Sequence, residues 1–107
     1  MPYVLVILRD GANTEQEDVY ASAHERFITS LIEQNLVLLG GAFTAPAADA
    51  FAAYVLRCDG ADAARAIASQ DPFALHDVVR PECVEWNLVG INPEAIDQAT
   101  VVRPDDV

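Results

Sequence analysis

At 107 residues the chain has the length of one domain, since a chain of this size buries roughly two-thirds of its unfolded surface in a single core. Its hydrophobic fraction of 52%, against 21% charged residues, excludes a disordered chain. Seventeen acidic and six basic residues give a net charge of -11, which repels phosphate backbones and anionic headgroups, so we expect neither nucleic acid nor a membrane as a partner.

The N-terminus and the apolar runs bear on cellular location. The first residues lead directly into an apolar run, without the basic segment that opens an export signal. No apolar run approaches the ~20 residues that a membrane-spanning helix needs. The two cysteines, Cys58 and Cys83, have neither zinc-site nor CxxC spacing, which favours buried free thiols in a reducing compartment. We therefore expect a cytoplasmic protein.

The chain begins with a predicted strand and helix. Residues 3–9 (YVLVILR) are apolar on both alternating faces, as in a central strand that is covered on two sides. Thr14 and Glu17 have the spacing of a capping box, which predicts a helix over about 15–34. The apolar stripe of this helix includes His24.

Two further strands are predicted in the middle of the chain. Residues 36–43 (LVLLGGAF) form the first, and Gly40-Gly41 indicates a bulge or the close approach of another backbone or a ligand. Residues 44–49 are turn-forming. Residues 51–58 (FAAYVLRC) form the second strand, close enough to make an antiparallel hairpin.

A second helix follows this hairpin. Asp59 is its expected N-cap, and its narrow apolar stripe consists of Ala63, Ala64, Ile67 and Ala68. Asp71 lies one turn further, and Pro72 disfavours helical geometry at Asp71. The helix is therefore expected to end there, with the Asp71 carboxylate facing its negative end.

The last part of the chain holds one predicted strand and a tail. Residues 83–91 (CVEWNLVGI) form the strand, and residues 92–94 (NPE) resemble a cap followed by proline at the first position of a short helix. We expect one domain over residues 1–98 and a C-terminal tail over 99–107, either mobile or docked on a partner.

This order of elements predicts an α+β fold of the ferredoxin-like βαββαβ type. Right-handed crossovers then give a four-stranded antiparallel sheet with two helices on one face. The other face of the sheet has no cover, although the first strand is apolar on both sides. A homodimer that packs sheet against sheet is the simplest cover, with assembly beyond the dimer left open.

His24 and Asp71 are the candidate catalytic residues. Both helices pack on one face of the predicted sheet, so an imidazole on the apolar stripe and a carboxylate near the second helix end can meet. A carboxylate bonded to one ring nitrogen fixes the histidine tautomer and leaves the other nitrogen for proton transfer. Taken alone, each residue is more often structural than functional.

Several of these segments together resemble the YCII-related family. They are PYVLVILRD at the start, His24 in the first helix, LVLLGGAF, and Asp71-Pro72-Phe73 after the second helix. The resemblance spans about residues 2–91. It implies a ferredoxin-like fold assembled as a dimeric α+β barrel, and an active site in a cleft with a histidine and aspartate pair, here His24 and Asp71.

Further side chains are candidates for binding a substrate. Tyr20 and Phe73 are expected to close the cleft, and His76 to line its mouth, although a loop histidine is more often solvated. Arg9 ends a strand and is a candidate for an anionic group, the alternative being an ion pair with Glu85 across the sheet. The sequence has no phosphate loop, dinucleotide fingerprint or metal cluster, so we expect neither cofactor nor metal.

The sequence leaves two main functions open, beside a third, a scaffold or interaction protein, which would need the acidic C-terminal tail to dock on another chain. The first is a small-molecule enzyme of lyase or isomerase type, in which His24 acts as general acid or base and Asp71 orients it. The second is a non-catalytic ligand-binding or accessory protein, in which the same pair only holds the helices together. An open pocket beside one free imidazole nitrogen favours the enzyme, and a sealed pair favours the structural role.

Overall fold

The computed structural model describes residues 2–47 and 49–95, which form one sheet covered by helices. The elements in chain order are β1 (Tyr3–Asp10), a 3-10 turn (Thr14–Gln16), α1 (Glu17–Glu33), β2 (Val37–Ala47), β3 (Ala50–Arg57), α2 (Ala61–Ala68), α3 (Pro72–Leu75), β4 (Val79–Trp86) and a 3-10 turn (Pro93–Ala95). The strand order is β2-β3-β1-β4 with antiparallel neighbours. The predicted ferredoxin-like fold is confirmed, and the predicted tail at 99–107 lies outside the described residues.

The two faces of the sheet differ in burial. Alternate side chains of a strand point to opposite faces. On β1, one set is fully buried beneath the helices and comprises Val4, Val6 and Leu8. The other set is half-buried on the face that the helices leave uncovered, here called the open face, and comprises Tyr3, Leu5 and Ile7. The core therefore lies between the sheet and its helices.

Both edge strands depart from their predicted bounds. β2 continues to Ala47, through residues predicted as a turn, and β4 runs from Val79 to Trp86 instead of over 83–91. Both strands contain a proline, Pro46 and Pro81. Proline interrupts a ladder only where its nitrogen faces a partner strand, so an edge strand tolerates it.

The predicted capping box at the start of α1 is wrong. A 3-10 turn at Thr14–Gln16 precedes α1, and no side-chain hydrogen bond caps either helix start. Thr14 lies inside that turn and not at an N-cap, so the spacing to Glu17 has no capping role. The predicted Asn92 cap is confirmed, because its side-chain oxygen accepts a hydrogen bond from Glu94 N at 3.1 Å.

The predicted cap of α2 is also wrong. Gly60, and not Asp59, precedes α2, and its φ of 141° lies in the region that favours glycine. The free N–H of Ala61 donates to Glu85 Oε1 of β4 at 3.1 Å. A side chain from a neighbouring strand thus replaces the local cap.

The two cysteines are free thiols, as predicted. Cys58 directly follows β3 and is buried, and Cys83 on β4 is half-buried. Burial raises the pKa of the Cys83 thiol. Among the described residues, no helix combines the length and the apolar character needed to cross a bilayer.

Candidate active site

Asp71 lies between α2 and α3 and is completely buried. Its backbone, with φ -59° and ψ 129°, is that of an N-cap, and its Oδ1 accepts the N–H of Phe73 at 2.9 Å. Pro72 follows at the first helical position, where its fixed φ suits a helix and its missing N–H costs nothing. The predicted position at the negative end of α2 is therefore wrong, because a new helix starts here and its free N–H groups favour a carboxylate.

His24 of α1 is hydrogen-bonded to this carboxylate. Its Nδ1 lies 2.9 Å from Oδ1 and 2.8 Å from Oδ2 of Asp71. The opposite ring nitrogen, Nε2, has no hydrogen-bond partner among the described residues, and the side chain keeps 17% of its surface exposed. The structure thus brings the two sequence candidates together and leaves one imidazole nitrogen accessible.

Aromatic packing fixes the plane of the imidazole. The rings of His24 and Phe73 stack with centroids 4.1 Å apart and an interplanar angle of 8°. Phe51 meets the same Phe73 ring edge to face at 6.3 Å. Phe73 also donates its N–H to Asp71, so one residue holds both members of the pair.

A cleft of about 340 Å³ opens between α1 and the β2–β3 half of the sheet. Its lining is mostly apolar and includes His24, Phe51, Tyr54 and Phe73, together with Glu17 and Glu25 from α1. Among the described residues no lysine or arginine lines it. The volume suits a compound of one or two fused rings, and the acidic side chains disfavour an anion.

With this geometry established, the chain can be compared with known proteins. The family model for the YCII-related domain matches residues 1–87. The chain belongs to the YCII-related family. The resemblance found in the sequence motifs is therefore confirmed. No curated protein matches the chain.

A solved structure shares the fold of this YCII-related chain. It is the 5-chloro-2-hydroxyhydroquinone dehydrochlorinase from Burkholderia phenoliruptrix AC1100, in complex with 2,5-dihydroxybenzoquinone. The similarity has a TM-score of 0.64 at 13% sequence identity and covers 79% of this chain and 93% of the other. At this identity the likeness concerns the fold.

Of the predicted aromatic binding residues, one lines the cleft and two lie beside it. Phe73 lines the cleft, whereas Tyr20 and His76 stack on each other, with centroids 3.9 Å apart and an angle of 5°, and are not among the lining residues. Like the stack of His24 on Phe73, this second stack joins α1 to the α3 region. The stack of Tyr20 on His76 therefore adds to the aromatic contact between α1 and α3 but does not line the cleft.

Arg9 lies outside the cleft, in ion pairs at the end of β1. Its guanidinium donates to Glu82 of β4 and, at 2.9 Å, to Asp49, which also pairs with Arg80 at 3.2 Å. These hydrogen bonds raise the pKa of Arg9. Arg9 pairs across the sheet, but the predicted partner Glu85 is wrong: the partner on β4 is Glu82, whereas Glu85 accepts the N–H of Ala61. Arg9 is therefore not part of the candidate site.

Tyr54 of β3 is a cleft residue that the sequence analysis did not single out. It lies on the helix-covered face opposite Val6 of β1 and Gly40 of β2. Its side chain is 4% exposed, and its hydroxyl is buried without a hydrogen-bond partner. Burial, with the negative charge of Asp71, raises the pKa of Tyr54, so the hydroxyl stays protonated. A tyrosine on a buried strand face, where its hydroxyl needs a partner, was the available signal.

Gly40 makes room for this tyrosine. A methyl group on Gly40 would lie 2.5 Å from the Cβ of Tyr54, whereas one on the adjacent Gly41 would meet nothing within 4 Å. The prediction that Gly40-Gly41 marks a close approach is confirmed for Gly40. The approaching group is the neighbouring strand at Tyr54.

We expect Gly40→Ala to destabilise the protein and Gly41→Ala to leave it unchanged or slightly more stable. The first substitution overpacks the β2–β3 contact, at a cost of about 1–3 kcal/mol. The second reduces the freedom of the unfolded chain, which is worth about 0.4–1 kcal/mol where the backbone tolerates alanine. Urea unfolding of the two variants measures the difference. Equal stabilities would show that β2 shifts freely away from Tyr54.

Proposed function

We propose that this protein is a small-molecule enzyme in which His24 transfers protons as general base and acid, oriented by Asp71. The observation that carries the proposal is the hydrogen bond between His24 Nδ1 and a buried carboxylate, with Nε2 left accessible beside a cleft. A purely structural pair needs neither an accessible nitrogen nor a cleft. The geometry therefore favours the enzyme over an accessory protein.

Asp71 sets the protonation of the imidazole in this proposal. The carboxylate accepts Phe73 N–H and can only accept from the histidine, so it holds the proton on Nδ1. The lone pair of Nε2 is then available to the cleft. The stacked Phe73 ring keeps the imidazole in the plane that this hydrogen bond requires.

The reaction that suits this arrangement begins with removal of a proton from carbon. Nε2 takes a proton from a carbon next to a carbonyl group, and the electron pair of the broken C–H bond moves to the carbonyl oxygen as an enolate. The electron pair then forms a C=C bond and expels a leaving group, with its bonding electrons, from the carbon next to the deprotonated one. Alternatively, in a β,γ-unsaturated ketone, Nε2 returns the proton to the far carbon of the conjugated enolate. The first outcome is a lyase reaction and the second an isomerisation.

The proposed substrates are small ring compounds that carry a carbonyl group. The cleft has the volume and the apolar walls for one or two fused rings. The structurally similar protein is a dehydrochlorinase bound to a hydroxyquinone, which is a ring carbonyl compound. Site and fold similarity thus favour the same substrate class.

We further propose that a second copy of the chain covers the open face. One row of this face crosses all four strands through paired residues and consists of Leu39, Val55, Leu5 and Val84. The two ends of the row are exposed, Leu39 to 57% and Val84 to 43%, whereas Val55 between them is 3% exposed. An apolar row of this extent is characteristic of an interface, and a symmetric dimer covers both copies at once.

The proposed function is tested by deuterium exchange into a cyclic ketone. We expect the protein to accelerate exchange of the protons next to the carbonyl of 1-indanone in D₂O, followed by NMR. His24→Gln preserves a side chain that can bond to Asp71 but removes the base, and should reduce the rate about 100-fold or more. His76→Gln is the matched control, since His76 does not line the cleft, and should retain the rate.

Two results would decide against catalysis by His24. Equal exchange rates for the His24→Gln and wild-type proteins would remove this residue from the mechanism. Binding of ring ketones without any accelerated exchange would favour the non-catalytic ligand-binding protein.

A further inference from the structure

The buried hydroxyl of Tyr54 lacks a partner in the protein. It is the only such buried side-chain atom in the described part of the chain. Buried polar groups are nearly always hydrogen-bonded, and an unpaired one lowers stability, so each exception needs a reason. Phenylalanine would fill this place in the core without that penalty.

Tyr54 lies where a ligand can supply the missing partner. It lines the same cleft as His24, and the two residues approach it from different elements, β3 and α1. Its position is constrained by the close contact with Gly40 on the neighbouring strand. The hydroxyl itself has no surface open to water, so a ligand oxygen in the cleft reaches it only by displacing neighbouring side chains, and it then meets no competing partner in the protein.

We propose that the Tyr54 hydroxyl donates a hydrogen bond to the carbonyl oxygen of an uncharged cyclic substrate while His24 faces the adjacent carbon. This inference rests on the proposed function and adds to it a second substrate contact and the charge of the substrate. When Nε2 removes the proton from carbon, negative charge develops on the carbonyl oxygen. The Tyr54 O–H, which remains bonded to tyrosine, stabilises that charge.

The charges of the cleft select an uncharged substrate. Glu17 and Glu25 line it, and no cationic side chain of lysine or arginine does so among the described residues. The raised pKa of Tyr54 keeps its hydroxyl in the donor form. The Tyr54 hydroxyl can donate to the carbonyl oxygen of a neutral ketone, whereas the nearby glutamates repel a substrate that carries a carboxylate or phenolate.

Tyr54→Phe tests this inference with two ring compounds. The probes are 1-indanone and indane, which is the same ring system without the oxygen, and binding is followed by protein NMR. We expect Tyr54→Phe to bind 1-indanone about tenfold more weakly and to exchange its protons about 100-fold more slowly. Indane binding should be unchanged. The thermal midpoint should stay the same or rise by about 4–8 °C, since an unpaired hydroxyl is removed.

The outcomes separate this inference from the proposed function. Equal affinity of wild type and Tyr54→Phe for 1-indanone would overturn the inference, even if His24-dependent exchange occurs. A loss of 1-indanone affinity confined to Tyr54→Phe, without any catalysed exchange, would support the inference and contradict the enzymatic function. Failure of wild type to bind 1-indanone while a carboxylated analogue, indane-2-carboxylate, binds would overturn the assignment of an uncharged substrate.

Discussion

Asp71→Asn is expected to abolish most catalysis while leaving the fold intact. Asparagine remains a good N-cap, and its side-chain oxygen can keep the hydrogen bond from Phe73 N–H at the position of Oδ1. Its amide nitrogen then takes the place of Oδ2, which lies 2.8 Å from His24 Nδ1. There the amide donates a hydrogen bond where the carboxylate accepted one.

The reversed hydrogen bond changes the tautomer of His24. The proton moves to Nε2, the nitrogen that faces the cleft, so the imidazole can no longer accept a proton there. We expect the rate of proton exchange to fall by about 100- to 10,000-fold, the usual contribution of a positioned base. Nitrogen-15 NMR of the two histidines should show the switch from Nδ1–H to Nε2–H at His24 alone.

Asp62→Asn is the matched control for this prediction. Asp62 lies fully exposed on α2, and its one ion pair among the described residues is with Arg65 one turn away, so its substitution should change neither tautomer nor rate. Retention of full activity by Asp71→Asn with an unchanged His24 tautomer would contradict the assigned role of the carboxylate. Lost activity with an unchanged tautomer would indicate that Asp71 acts through position alone.

The fold was predictable because its main signals are local and repeated. The first strand, YVLVILR, is apolar on both faces, and the structure places it between β3 and β4 in the sheet. The stripe around His24 has helical period, and α1 follows it closely. Such signals depend on many residues at once, so a boundary misplaced by one or two positions does not change the predicted type of element.

The short elements around the site were not predictable in the same way. α3 has four residues, too few to show the apolar periodicity of a helix. The sequence Asp71-Pro72 is therefore equally compatible with the end of one helix and the start of another. The cap of α2 comes from Glu85 on a strand more than twenty residues later in the chain. Both outcomes depend on tertiary contacts, which a local rule for capping does not include.

Part of the candidate site could be predicted from the sequence. His24 and Asp71 were recognised because a polar group on an apolar stripe and a carboxylate before proline each need an explanation. Tyr54 was missed because tyrosine fits a strand by propensity alone. Only its burial without a partner distinguishes it, and that burial exists only in the folded chain.

Val84→Lys is expected to convert the proposed dimer into a monomer. Val84 pairs with Leu5 and lies on the edge strand β4, at one end of the apolar row on the open face, where it is 43% exposed in the single chain. In a monomer the lysine reaches water at little cost, typically within about 0.5 kcal/mol. In a sheet-to-sheet dimer, two-fold symmetry buries two such charges, at about 3–5 kcal/mol for an unpaired one.

Sedimentation velocity distinguishes these states. We expect wild type to sediment with twice the mass of one chain and Val84→Lys with the mass of one, since the cost of the buried charge raises the dissociation constant at least about 100-fold. Val19→Lys introduces the same charge on α1 at a side chain that is 71% exposed, and should remain dimeric. A monomeric wild type would contradict the proposed dimer, because no second copy would then cover the row through Leu39 and Leu5. A dimeric Val84→Lys would show that the interface does not bury the β4 end of this row.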